Sequence, residues 1–140
     1  MKNTGKKSEK IFDDVWKRFG KQAKCIKFMD SAEATGRAGK IVGLRSQPAD
    51  RIVVFKGHTF FAEVKSTWDE ARFNFSLLRK TQSEAAAAVE AAGGDYYVFI
   101  HSLAHGPWYQ VPYRVIRNHT RRSFTWDELE PYKWSLMCKT

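Results

Sequence analysis

PADRIVVFKGHTFFAEVKST, residues 48–67, is the stretch that decides the fold. Two runs of β-branched and aromatic residues, Asp50–Phe55 and Thr59–Thr67, flank Lys56-Gly57-His58, which predicts a β-hairpin. Side chains alternate faces along a strand, so Phe61, Glu63 and Lys65 point the same way. A two-residue turn at Lys56-Gly57 pairs Phe55 with His58 and carries Asp50 directly opposite Glu63. A four-residue loop preserves that pairing, and a three-residue loop breaks it. Opposed residues have Cβ atoms about 4.5–5.5 Å apart. Two carboxylates held so closely repel unless a cation lies between them.

Paired carboxylates with a lysine beside them suit one kind of chemistry. Their hard oxygens favour Mg²⁺, with Mn²⁺ as a substitute, ions that bind through a few carboxylates plus phosphate. Such an ion polarises a scissile phosphate, and Lys65 is placed to orient an attacking water and offset the charge growing on phosphorus. The plain alternative is an exposed strand end carrying charged edge residues.

Outward from the hairpin, Ile11, Phe12, Val15, Trp16 and Phe19 form an apolar stripe that predicts a helix over Ser8–Phe19, stopped by Gly20. Lys21–Met29 is a weakly patterned strand, and Asp30–Gln47 a glycine-rich loop. After the hairpin, an alanine-rich helix spans Ser76–Ala92, with Leu77, Leu78, Ala85, Ala88, Val89 and Ala92 inward and Gly93-Gly94 ending it. Asp95–Ser102 and Trp108–Val111 read as strands. Pro112–Asn118 and Thr125–Glu130 read as short helices, the second with Thr125 and Glu128 spaced as a capping box. Tyr132, Trp134 and Leu136 alternate as in a strand that could cover a sheet edge or join a dimer contact. The expected architecture is α/β, a central mixed sheet flanked by helices.

The 140 residues suit one domain, with a core at about 5–116 and an extension at about 117–140. A content of 43% hydrophobic and 14% aromatic residues excludes wholesale disorder. No run approaches a membrane span, and the polar start lacks a signal peptide's apolar segment, so the expectation is a cytoplasmic chain without membrane contact. Cys25 and Cys138 are too few for a disulfide scaffold. The net charge is +9, and +8 of it lies in residues 1–56. Concentrated positive charge is the footprint of a polyanion partner, or else a solvated basic face.

Pro48-Ala49-Asp50, then twelve residues, then Glu63-Val64-Lys65, resembles the PD-(D/E)XK nuclease signature, set in this superfamily's order of helix, loop, hairpin, helix and strand. Within the superfamily the chain is similar to Holliday-junction resolvases of the RecU and archaeal types over roughly residues 5–116. The likeness runs through Gly5-Lys6-Lys7-Ser8-Glu9, Gln47-Pro48-Ala49-Asp50, Phe61–Thr67, Phe73–Leu77, Gln82 and Asp95–Ile100. It implies a restriction-endonuclease-like core and a homodimer that cuts four-way DNA junctions by paired, metal-dependent nicks. Asp50, Glu63 and Lys65 become the expected catalytic residues, with Glu9 as a further metal-site carboxylate. Glu9 sits at the edge of the apolar stripe and can lean toward the sheet, with Asp13 and Asp14 farther away; it is equally explained as an acid favoured near a helix N-terminus. Lys6, Lys7, Lys10, Arg37, Lys40, Arg45 and Gln82 are the expected DNA contacts, although a polar helix residue such as Gln82 usually meets only water. Nothing resembles a base-reading module, so shape recognition is expected. The competing readings are a restriction, repair or less selective DNA nuclease, and a non-catalytic nucleic-acid-binding domain of the same fold.

Overall fold

The structure, a computed structural model, describes residues 4–28 and 47–138. Its elements are α1 (Thr4–Lys17), β1 (Ala23–Lys27), β2 (Arg51–Phe55), β3 (His58–Thr67), β4 (Arg72–Asn74), α2 (Lys80–Ala91), β5 (Tyr96–Ser102), β6 (Trp108–Pro112), α3 (Tyr113–Arg117) and β7 (Ser123–Thr125), with four short 3₁₀ turns. Five strands form one mixed sheet in the order β1-β2-β3-β5-β6, parallel only between β3 and β5; β4 and β7 pair separately. The expected α/β architecture is the observed one.

The hairpin register follows from its turn. Lys56 and Gly57 both have positive φ, 48° and 86°, the geometry of a two-residue turn whose twist matches the strands. Phe55 therefore pairs with His58 and Arg51 with Ala62. Beyond Arg51 the strands separate, while β3 continues alongside β5 as far as Thr67 and Ser102. The sheet thus forks at Asp50 and Glu63.

Each face of the sheet carries its own core. On one, Phe12, Val15 and Trp16 of α1 pack on Val53, Phe60, Val64 and Phe99. Burying each such large side chain contributes roughly 1.5–3 kcal/mol. On the other, Ala86 of α2, with Tyr113 and Ile116 of α3, covers Tyr96, Val98, Ile100 and Val111.

Several expectations change in detail. The first helix starts at Thr4 and ends at Lys17, and Ile11 faces solvent instead of joining the stripe. The alanine-rich helix starts at Lys80, because Asn74 Oδ1 accepts the Ser76 N–H and Phe75–Leu77 closes a 3₁₀ turn before it. Its inner face is Gln82 and Ala86, with Val89 packed beside them, while Ala88, Ala92 and Leu77 are exposed. Thr125 and Glu128 make their reciprocal hydrogen bonds, but the segment remains a turn. Tyr132–Leu136 is not a strand. Lys133 makes one bridge to Tyr109, Trp134 N–H donates to Trp108 O, and the Trp134 ring inserts between Phe12, Phe99 and Trp108. The segment covers the β6 edge, one of its two expected roles. Among the described residues no helix is long and apolar enough to cross a membrane.

Candidate active site

The fork in the sheet creates the site. With β2 gone, the Val64 N–H of β3 faces away from β5 without a ladder partner, and Asp50 Oδ2 takes it at 2.9 Å. The Asp50 carbonyl accepts the Phe28 N–H at 3.0 Å, and Tyr96 Oη donates to Pro48 O at 2.6 Å. Residues 48–50 are thereby pinned at three points.

Glu63 projects from β3 into the fork and is 1% exposed. Its Oε2 accepts from Gln82 Nε2 at 2.8 Å and lies 3.3 Å from Lys65 Nζ. Its Oε1 is buried and without a donor. Burial first, then the neighbouring Asp50 charge, pushes the Glu63 carboxyl up to about 8, against the pull of Lys65. Two facing carboxylates can satisfy one another only by sharing a proton, or by sharing a cation. Burial and the Glu63 and Asp50 charges also hold the Tyr96 phenol above its ordinary value.

Gln82 proves to be more than a surface residue. Its Oε1 accepts the Arg79 N–H at 2.9 Å, closing the first turn of α2. That contact fixes the amide so that its Nε2 points at Glu63. The alanine-rich sequence of α2 hides this, because small residues on every side leave no periodic signal for the inner face.

Behind the fork, on the α1 face, Arg51 is 1% exposed and paired with two acids of that helix. Asp13 accepts from its Nε at 2.6 Å and from Nη2 at 3.0 Å, a bidentate pair. Glu9 Oε1 lies 3.1 Å from Nη1 without hydrogen-bond alignment, so Glu9 is held by charge alone. Burial opposes the Arg51 charge, but Asp13, Glu9 and Asp50 outweigh it and hold its pKa above the ordinary value. Asp13, expected to point away, is thus a half-buried partner of a buried arginine. The legible signal was its i, i+4 spacing from Glu9, opposite an arginine in a buried strand.

An open cleft of about 680 Å³ joins both clusters and includes Glu9, Asp13, Asp50, Arg51, Glu63, Lys65 and Gln82. Lys6 and Lys10 line it, as do Lys17, Lys27 and Arg79, which sequence reasoning missed. Lys10 Nζ is 2.8 Å from Asp14, and Lys7 is exposed off the cleft. Arg37, Lys40 and Arg45 lie outside the described residues.

Among the described residues no three His, Cys, Asp or Glu side chains converge closely enough to hold an ion by themselves. Asp50 and Glu63 nevertheless fit a hard divalent ion that keeps waters and shares a phosphate, and the donorless Glu63 oxygen is where one would bind.

No family model matches the chain, and neither does any curated protein. Among solved structures it is similar to Hjc of Archaeoglobus fulgidus, a Holliday junction resolvase from an archaeal hyperthermophile. The TM-score is 0.61 at 14% identity, covering 91% of this chain and 93% of that one. The two share a fold, a mixed sheet flanked by helices.

Proposed function

We propose that this chain is a single-domain, divalent-metal-dependent DNA endonuclease that resolves four-way junctions by paired nicks, acting as a homodimer. The observation that carries the reading is the buried Glu63 oxygen, left without a donor beside Asp50 and within reach of Lys65 in a lysine-lined cleft. The resolvase whose fold the chain shares supports branched DNA as the substrate class.

In this reading Asp50 and Glu63 hold Mg²⁺ or Mn²⁺, and Glu9 leaves its unaligned contact with Arg51 to add a third carboxylate. Bound there, the ion contributes Lewis-acid polarisation of the scissile phosphate. Gln82 keeps Glu63 turned toward Asp50. Lys65 orients the attacking water and balances charge developing on the phosphate oxygens. Lys6, Lys7 and Lys10 contact phosphates along the arms; each phosphate neutralised adds about 0.9 to the slope of log affinity against log salt.

Incubation with labelled four-way junction and linear duplex, in Mg²⁺ or EDTA, tests the proposal. The expected result is metal-dependent symmetric nicking near the crossover. Equal cutting of linear duplex points instead to a less selective nuclease. Binding without cleavage in Mg²⁺ or Mn²⁺ points to a non-catalytic binding domain. Light scattering that gives a monomer with junction bound overturns paired nicking.

A further inference from the structure

A second groove, of about 480 Å³, opens at the hairpin-turn end of β2, away from the fork at Asp50 and Glu63. Lys21, Lys24 and Lys56 line it, and none of its lining residues is acidic. All three lysines are exposed, and among the described residues none pairs with a carboxylate. The Lys56 ammonium instead lies 5.2 Å from the centre of the Phe55 ring and 5.8 Å from that of Phe19. The backbone beneath them is fixed. Gln22 N–H donates to Phe19 O at 3.0 Å, and Lys56 N–H donates to Gln22 O at 2.8 Å, which ties the hairpin turn to the 3₁₀ turn at Gly20–Gln22. Lys24 follows directly in β1, opposite Val54 of β2. Positive charge gathered on a fixed backbone, with no carboxylate of the chain to balance it, draws an outside anion.

The place of the groove says which anion. From Val15 to Lys27 the chain carries Lys17, Arg18, Lys21, Lys24 and Lys27, and no acid. β1 runs from the groove, which Ala23 and Lys24 line, to the cleft, which Lys27 lines. Phe28 N–H then donates to Asp50 O, so the strand ends beside the fork. At about 3.3 Å per residue, Lys24 lies roughly 10 Å from Lys27, and Lys56 roughly 20 Å from Asp50. A small phosphate fits either place but cannot join them. Duplex DNA is charged along its whole length, each strand rising about 3.4 Å per nucleotide. One arm can therefore occupy cleft and groove at once, with contacts roughly three to six base pairs apart. Lysines on an edge strand have a plainer use, blocking its pairing with another sheet. That use covers Lys24 in β1 but not Lys21 and Lys56, which stand outside the strand.

We propose that Lys21, Lys24 and Lys56 form a second phosphate site that grips the backbone of one duplex arm, roughly three to six base pairs from the phosphate in the cleft. The spacing rests on the nuclease reading above; the phosphate site does not. The test uses the full chain in EDTA, with four-way junction and linear duplex over a range of salt. Lys21→Gln combined with Lys24→Gln leaves the Lys56 ring contacts in place. It is expected to lower the slope of log affinity against log salt by about 1.8 for both DNAs. Methylphosphonates, which remove single phosphate charges, then locate the contact along one arm. Roughly three to six base pairs from the cut they should weaken binding by the wild type and leave the double variant unaffected. An unchanged slope overturns the proposal, and self-association of the variant in light scattering beside that unchanged slope makes the lysines guards of the sheet edge. Equal methylphosphonate effects in both proteins at every position overturn it too. A lowered slope in the variant, with a wild type that never cuts in Mg²⁺, upholds the phosphate site and overturns the nuclease reading; a wild type that binds neither DNA overturns both.

Discussion

Asp50 and Arg51 are adjacent in the chain and opposite in their surroundings. Asp50 faces the fork, where its neighbour is another carboxylate and one oxygen of that neighbour has no donor. Arg51 faces α1, where Asp13 grips it with two hydrogen bonds and Glu9 adds its charge. Alternation along one strand end therefore puts like charges on one side of the sheet and opposite charges on the other. The second cluster balances its own charges and serves the fold, although Arg51 Nη1 has no aligned acceptor. The first leaves repulsion between like charges in place, a cost that a folded chain sustains where a ligand relieves it.

The largest effects should separate the two clusters by kind. Asp50→Asn and Glu63→Gln are each expected to lower junction cleavage by at least about a thousand-fold, since each removes a charge the chemistry needs. In thermal or denaturant melts without metal, neither should be less stable than wild type, because each removes a repulsion. Lys65→Ala should lose cleavage while junction binding is largely kept. A variant of the three that still cuts at near wild-type rate assigns the chemistry elsewhere.

On the other face, Asp13→Ala strands a buried guanidinium and is expected to cost about 3–5 kcal/mol in denaturant unfolding, whereas Arg51→Ala leaves Asp13, one-third exposed, to be solvated and costs less through that charge. Replacing both together, Arg51→Met with Asp13→Leu, should recover most of that loss, because an apolar pair needs no partner there. If Asp13→Ala proves as stable as wild type, the contrast between the two clusters collapses.

The hairpin was legible because Lys56-Gly57 accommodates positive φ at both turn positions, and alternation then dictates every face as far as Glu63 and Lys65. Asp50 and Glu63 could be brought together from spacing alone. Asp13 could not, since its role depends on a helix axis settled by Phe12, Val15 and Trp16 packing on the sheet. Gln82 was hidden by alanines that leave the helix face unmarked. In the C-terminal segment, Trp134 is anchored in the core, while an alternating pattern suggested a strand that the two 3₁₀ turns replace.

A pH titration sharpens the comparison next. The Glu63 carboxyl is raised in the folded state from 4.5 to about 8. A raised acid contributes stability below its unfolded value, and that contribution disappears as pH climbs through the folded one. Metal-free wild type should therefore lose stability relative to Glu63→Gln between about pH 4.5 and 8, on the order of a few kcal/mol. The difference between the two proteins is the readout, because burial lowers the His101 pKa and that histidine contributes an opposing slope as pH falls below its unfolded value near 6.5. Millimolar Mg²⁺ should flatten the difference at alkaline pH; a difference insensitive to both pH and Mg²⁺ removes the case for a strained acidic pair.

Glu9 is the smallest and most discriminating test, because it borders both clusters. Its side chain is 33% exposed, and its contact with Arg51 lacks hydrogen-bond alignment, unlike the bidentate contact of Asp13. An ion pair so placed contributes little, so Glu9→Gln should lower metal-free stability by less than about 1 kcal/mol. If Glu9 belongs to the fold alone, that is its whole effect, and the gain in melting temperature on adding Mg²⁺ or Mn²⁺ stays at the wild-type value. If it turns from Arg51 toward the fork, the metal-induced gain shrinks in Glu9→Gln while Asp13→Asn keeps it, although Asp13→Asn melts lower throughout. The two acids stand one helical turn apart on the same arginine, so only the response to metal can tell which cluster Glu9 serves.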